Sequence, residues 1–143
     1  MPLPVHIGWR EWASLPELGV TRIKVKVDTG ARTSALHTFH VEKIEKPKQP
    51  KKVVFIMRLR YRNYPSQTLT CTSTLIDMRE ITDSGGHKER RCVIKTPIVI
   101  GNYCWPIEIT LTRRDTMRFK MLLGRTALKE RFIVNPNRSY LLK

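Results

Sequence analysis

The sequence predicts an all-β fold, a barrel or sandwich of short strands with very little helix. Three observations carry this. Apolar and polar residues alternate with a period of two through most of the chain, the mark of half-buried strands. A 3.6-residue apolar period is almost absent. Turn-forming residues separate the apolar runs at short intervals, as in a barrel or sandwich. The 143 residues make a single domain, 1–143, long enough to bury a core without disulfide staples.

The elements follow in order. A short helix is expected near residues 11–18, interrupted by Pro16. Residues 21–27 place Ile23, Val25 and Val27 on one face of a strand that ends at Asp28. Residues 43–52, with Pro47, Pro50 and five lysines, form an exposed loop. Strands are expected over 53–61 and over the Thr-rich run 69–78. Asp83-Ser84-Gly85-Gly86-His87 reads as the tip of a hairpin. Residues 91–100 and 105–111 are strands, the second alternating through Ile107, Ile109 and Leu111. Residues 121–123 form a short apolar strand, 125–131 the one good helix, and 132–134 and 140–142 the closing strands.

Charge is the unusual quantity. The chain carries 27 Lys+Arg against 12 Asp+Glu, a formal charge of +15, which favours an anionic partner. No apolar run reaches the roughly 20 residues of a membrane span, and no basic-then-apolar leader opens the chain, so a cytoplasmic protein with no membrane partner is expected. Cys71, Cys92 and Cys104 are odd in number and widely spaced, with no Cys-x-x-Cys, so free thiols are expected.

Asp28-Thr29-Gly30-Ala31 puts an ionisable carboxylate at the end of a strand, then a hydroxyl that can fix a loop, then a glycine that admits a close neighbour. Taken alone this triplet is more often a capped turn than an active site. Leu122-Leu123-Gly124-Arg125 adds a second element: bulky apolar residues, Gly, then Arg at the start of the helix. Together these segments resemble the retropepsin aspartic proteases, which carry an Asp-Thr-Gly-Ala loop early and an apolar-apolar-Gly-Arg segment before a C-terminal helix. The resemblance implies a retropepsin-like closed barrel with one short C-terminal helix.

A longer resemblance spans nearly the whole chain. Residues 7–12 (Ile-Gly-Trp-Arg-Glu-Trp), 15–18, 26–37, 122–125 and 135–141 are similar to a bacterial and archaeal family labelled "ATP-dependent zinc protease", encoded beside RimK-type glutamate ligases. Neither half of that label has a basis in these residues. There is no Gly-x-x-x-x-Gly-Lys-Ser/Thr phosphate loop and no His-Glu-x-x-His. His37 and His40 are three apart, which on a strand places them on opposite faces. No metal and no cofactor are expected.

The resemblance implies that Asp28 is catalytic, with Thr29, Gly30 and Ala31 forming its loop. An aspartic protease needs two carboxylates sharing one proton. None of Asp77, Asp83 or Asp115 lies in a second Asp-Thr/Ser-Gly, so the second carboxylate is expected from Asp28 of another copy, across a two-fold axis. Where the viral enzymes carry an acidic residue after Asp-Thr-Gly-Ala, this chain has Arg32, so Arg125 lacks that partner and an acidic substrate is expected. Arg32 and Arg125 are the candidate substrate-binding cations. Retropepsins close a glycine-rich hairpin over the substrate; residues 84–87, with Gly85 and Gly86, are the candidate, and 63–66 the alternative. The expected activity is a homodimeric aspartic endopeptidase, independent of metal and ATP, acting on acidic, glutamate-rich peptides or glutamylated proteins. Two competing readings are a basic β-barrel that binds RNA or the ribosome without catalysis, which lacks the usual nucleic-acid motifs, and a catalytically dead dimer that binds acidic peptides.

Overall fold

The computed structural model describes residues 4–83 and 85–142. Strand β1 (Val5–Gly8) is followed by β2 (Arg10–Leu15), a 3-10 turn (Pro16–Leu18), β3 (Val20–Asp28) and β4 (Ser34–His37). An inserted three-stranded antiparallel sheet comes next: β5 (His40–Ile44), β6 (Lys52–Leu59) and β7 (Gln67–Thr74), with β6 in the centre. Then come β8 (Asp77–Thr82), β9 (Lys88–Ile100), β10 (Tyr103–Thr112), β11 (Met121–Gly124), the single helical turn α1 (Arg125–Leu128) and β12 (Phe132–Asn135).

The main sheet runs β10-β4-β11-β3-β2-β9-β8, and β10 also pairs with β9, so six of its strands return on themselves as a ring. The hinge of this closure is β9. Along one edge it takes β8 and then β2, through Met78↔Cys92 and Ser14↔Val99; along the other it takes β10, through Ile109↔Ile94. A separate parallel pair, β1 with β12, runs from Val5↔Phe132 to Gly8↔Asn135.

Alternation sets the core, as period-two patterning requires. Ile23 and Val25 of β3, Ile94, Ile98 and Ile100 of β9, and Ile107, Ile109 and Leu111 of β10 all point inward. The inserted sheet is not a separate unit. Val53, Phe55, Met57 and Leu59 of β6 join the same buried cluster. Phe55 is fully buried, a contribution of about 1.5–3 kcal/mol from its side chain alone.

Several local expectations are corrected. Residues 10–15 form a strand, with only the 3-10 turn Pro16–Leu18 behind it, because Glu11, Ala13 and Leu15 bury on one face with strand spacing. The run 69–78 divides between β7 and β8, with Leu75 and Ile76 forming the link between them. Helix α1 is one turn long: Lys129 already leaves helical geometry at a ψ of 132°, and Glu130 follows with a positive φ of 66°. Residues 140–142 form no strand, although the Tyr140 N–H donates to the Arg10 carbonyl at 2.9 Å. The cysteines agree with expectation: all three are free thiols, with Cys71 and Cys92 buried and Cys104 exposed.

Candidate active site

Strand β3 delivers Asp28 to the mouth of the ring, where Gly124 of β11 lies directly opposite in parallel register. Inward residues Val25 and Ile23 fix the phase, so Asp28 falls on the face away from the core. Its carboxylate is half-buried, and Oδ1 accepts the Gly30 N–H at 3.1 Å, a local turn that orients the group. The Ala31 N–H closes the turn on the Asp28 carbonyl at 3.1 Å.

The loop after Asp28 is held by the segment that begins α1. Arg125 N–H donates to the Ala31 carbonyl at 2.9 Å and Thr126 N–H to the Arg32 carbonyl at 3.1 Å. The Thr126 hydroxyl adds a bond to the same Arg32 carbonyl at 2.7 Å, and Arg125 Nη1 reaches the Gly30 carbonyl at 3.3 Å. The two motifs singled out in the sequence, separated by nearly the whole chain, thus form one hydrogen-bonded frame. Gly124 is required there by space: a Cβ would lie 2.6 Å from the Thr33 carbonyl carbon and 2.9 Å from the Ser34 nitrogen. Its N–H donates to the Ser34 hydroxyl at 3.0 Å.

Arg32 and Arg125 are both exposed beside this frame, and neither forms an ion pair with a carboxylate among the described residues. Thr29 is exposed, as is Gly30, and Ala31 is half-buried.

Gly85 and Gly86 occupy the tip between β8 and β9; Ser84, part of the same candidate hairpin, lies outside the described residues. Asp83 organises the tip. Its Oδ1 accepts the N–H groups of Gly85 and His87, each at 2.9 Å, and Gly86 takes a φ of 83°. The His87 N–H, followed by the Arg114 guanidinium, holds the Asp83 carboxyl below the usual range. Arg114 Nη2 donates to Asp83 Oδ2 at 3.4 Å, tying the tip to the loop that follows β10.

Several neighbouring side chains have partners that the sequence did not reveal. Glu11 is completely buried and accepts backbone N–H groups from Gly8 (2.7 Å), Leu141 (2.9 Å) and Leu142 (3.1 Å). Arg91 is nearly buried and donates through Nε to Glu89 at 3.1 Å. His37 is buried beside Thr112, and burial, then Arg91, Arg114 and Lys120, lower its pKa to about 4. Strand β6 ends at Leu59, and just before that end Arg58 pairs with Asp115 and packs over Phe39. Glu108 meets Arg79 at 2.9 Å.

The aromatic residues sit mostly against one another. Trp12 meets Tyr61 and Tyr64 edge-on and stacks on Tyr140 at 6.1 Å, and Trp105, buried, donates its indole N–H to the Ala127 carbonyl at 3.0 Å. Rings engaged in this way offer few free faces for stacked bases.

Residues 6–143 match the family described as RimB-like, retropepsin-like aspartic endopeptidase RimB. The chain belongs to the RimB-like family. Its retropepsin-like fold, expected from the paired Asp-Thr-Gly and Gly-Arg segments, agrees with that membership. A crystal structure of the Legionella pneumophila protein Lpg0085, of unknown function, superposes with a TM-score of 0.79 at 24% identity, covering 97% of this chain and 98% of that one. Three curated relatives are each named probable alpha-L-glutamate ligase. The Shewanella halifaxensis protein is 40% identical over 141 residues, 95% of this chain and 29% of its own length. The Desulfotalea psychrophila protein is 39% identical over 130 residues, 91% of this chain and 28% of its own. The Parasynechococcus marenigrum protein is 37% identical over 142 residues, 99% of this chain and 30% of its own. The RimB-like chain therefore spans less than a third of the length of these relatives.

Proposed function

We propose that this RimB-like protein is a homodimeric aspartic endopeptidase that hydrolyses peptide bonds in acidic, glutamate-rich chains. The observation that carries the reading is the frame around Asp28: a half-buried carboxylate turned by the Gly30 N–H and backed by Gly124 and Thr126. One such loop per chain supplies half of a dyad, and a two-fold axis supplies the other half.

The chemistry balances without a cofactor. Two like carboxylates a few ångströms apart share one proton. The ionised member takes a proton from water as its oxygen bonds to the scissile carbonyl carbon. The protonated member gives its proton to the carbonyl oxygen. Collapse of the tetrahedral intermediate breaks the C–N bond: one carboxyl of the dyad gives its proton to the leaving amine while the other takes a proton from a gem-diol hydroxyl, which restores the shared proton.

Support for an acidic substrate comes from Arg32 and Arg125, exposed beside the frame without a carboxylate partner, and from the +15 net charge. The relatives' name points the same way. A RimB-like segment shares one polypeptide with the rest of a probable alpha-L-glutamate ligase, so a glutamate polymer is the natural substrate for a hydrolase built from that segment. The expected site of action is the cytoplasm.

The test is incubation of wild-type and Asp28→Asn protein with poly-α-glutamate, followed by mass spectrometry. Wild type should yield short glutamate oligomers and Asp28→Asn none, with its fold intact. RNA binding that survives Asp28→Asn, with no cleavage by wild type, would replace this reading by the nucleic-acid one.

A further inference from the structure

A trough of about 620 Å³ opens beside the aspartate loop, and the proposed dyad makes no use of it. Arg32 and Thr33, the two residues directly after Asp-Thr-Gly-Ala, form its inner end. From there it runs over β9 and β10 on one side and the segment linking α1 to β12 on the other.

Charge sets its character. Arg32, Arg79, Lys95, Lys129 and Arg131 line it, against only Glu108 and Glu130. Arg79 is already engaged by Glu108 at 2.9 Å and Asp77 at 3.0 Å. Lys95 stands directly across from Glu108 in the β9–β10 register, yet Glu108 turns to Arg79 and leaves it. Among the described residues no carboxylate pairs with Lys95, Lys129 or Arg131.

The floor beneath these cations is firm. Trp105 is buried and tied to the Ala127 carbonyl, and the Arg131 guanidinium lies 5.6 Å from its ring centre. A concave wall that gathers unpaired cations from separate elements focuses a positive potential. An extended peptide sends successive side chains to opposite sides, so walls of like charge on both sides suit a run of carboxylates better than a single one.

We propose that this trough is a binding subsite for the acidic residues that flank the scissile bond on one side, so that the protein selects runs of carboxylates rather than one. The inference rests on the endopeptidase reading only for the position of the scissile bond at Asp28. The occupant it requires is an extended polyanionic peptide.

The experiment uses glutamate oligomers of two to ten residues. Their affinity is measured by calorimetry on Asp28→Asn, and kcat/KM for the same oligomers is measured on protein with Asp28 intact. Each measurement is made without further change, with Lys95→Gln/Lys129→Gln, and with Lys46→Gln/Lys48→Gln, which removes the same charge from the exposed loop after β5. Affinity should rise with length. Lys95→Gln/Lys129→Gln should weaken the longest oligomer about 5- to 20-fold, as expected for two exposed charge pairs, and flatten the length dependence. The loop variant should change little, and that change should vanish at high salt. Equal losses in the two double variants would overturn the subsite, because the effect would then be net charge alone. Cleavage with an unchanged length dependence in Lys95→Gln/Lys129→Gln would overturn it while leaving the endopeptidase intact. Length-dependent binding that needs Lys95 and Lys129, with no cleavage, would uphold the subsite and remove the endopeptidase. Absence of binding at every length would overturn the subsite.

Discussion

Replacing Glu11 by Gln should be the most damaging conservative change outside the aspartate loop. Glu11 is fully buried, and its two oxygens accept three backbone N–H groups, from Gly8, Leu141 and Leu142. Hydrogen bonds to a charged acceptor are worth about 1.5–3 kcal/mol each, and neutral ones about 0.5–1.5. A glutamine carbonyl placed at Oε2 can still accept from Gly8 and Leu141, at the lower value. Its amide then faces the Leu142 N–H, donor against donor, and that bond is lost. The reckoning is roughly 2 kcal/mol for the lost bond and about 1 kcal/mol for each weakened one, or about 4 kcal/mol in all. Against a total stability of about 5–15 kcal/mol this is a large fraction. The assay is equilibrium unfolding in urea, with Glu17→Gln, an exposed position, as the control expected within about 0.5 kcal/mol of wild type. A loss below about 1 kcal/mol for Glu11→Gln, with an unchanged urea slope, would refute the reasoning.

Arg32→Ala should lower kcat/KM for a glutamate-rich peptide roughly 10- to 100-fold at low salt while sparing a neutral peptide; an unchanged preference at every pH would remove Arg32 as a selector. Activity should fall on dilution as the dimer dissociates, checked by sedimentation; a fully active monomer would end the shared-dyad account. His37 has a folded pKa of about 4 against 6.5 unfolded, so the unfolded chain binds the extra proton between those values. Its contribution is therefore intact above about pH 6.5 and fades toward pH 4, on the order of 3 kcal/mol, and His37→Gln should flatten that part of the stability profile. Iodoacetamide should label exposed Cys104 quickly, whereas burial raises the thiols of Cys71, to about 11, and Cys92, so both should react slowly until the protein unfolds.

What the sequence made legible follows from how far each signal reaches. Alternation in residues 21–27 predicted β3 because side chains on a strand alternate whatever their partners are. The aspartate loop and the Gly-Arg segment could be paired because their residue types are individually unusual. Glu11 could not be read. Its partners are backbone amides of residues 8, 141 and 142, and a backbone amide leaves no trace in side-chain identity. The same Glu11 lies on β2, where the composition of residues 11–18 suggested a short helix interrupted by Pro16. The strand wins because β3 pairs with it from Arg10↔Lys26 to Leu15↔Val20. The trough was equally hidden, since Arg32, Lys95, Lys129 and Arg131 are scattered in sequence and meet only when the ring closes.

The frame around Asp28 also has a consequence in time. During synthesis the aspartate loop is made early, but the groups that hold it, Gly124, Arg125 and Thr126, are made almost a hundred residues later. Translation adds about 5–20 residues per second, so the loop spends several seconds as unsupported chain. The parallel register of Val5 with Phe132 defers closure further, and contacts of such long sequence separation form slowly. On the proposed dimeric reading, an enzyme assembled in this order would be inert while it is being made, and no dyad would form until translation had passed residue 126 and two finished copies had met.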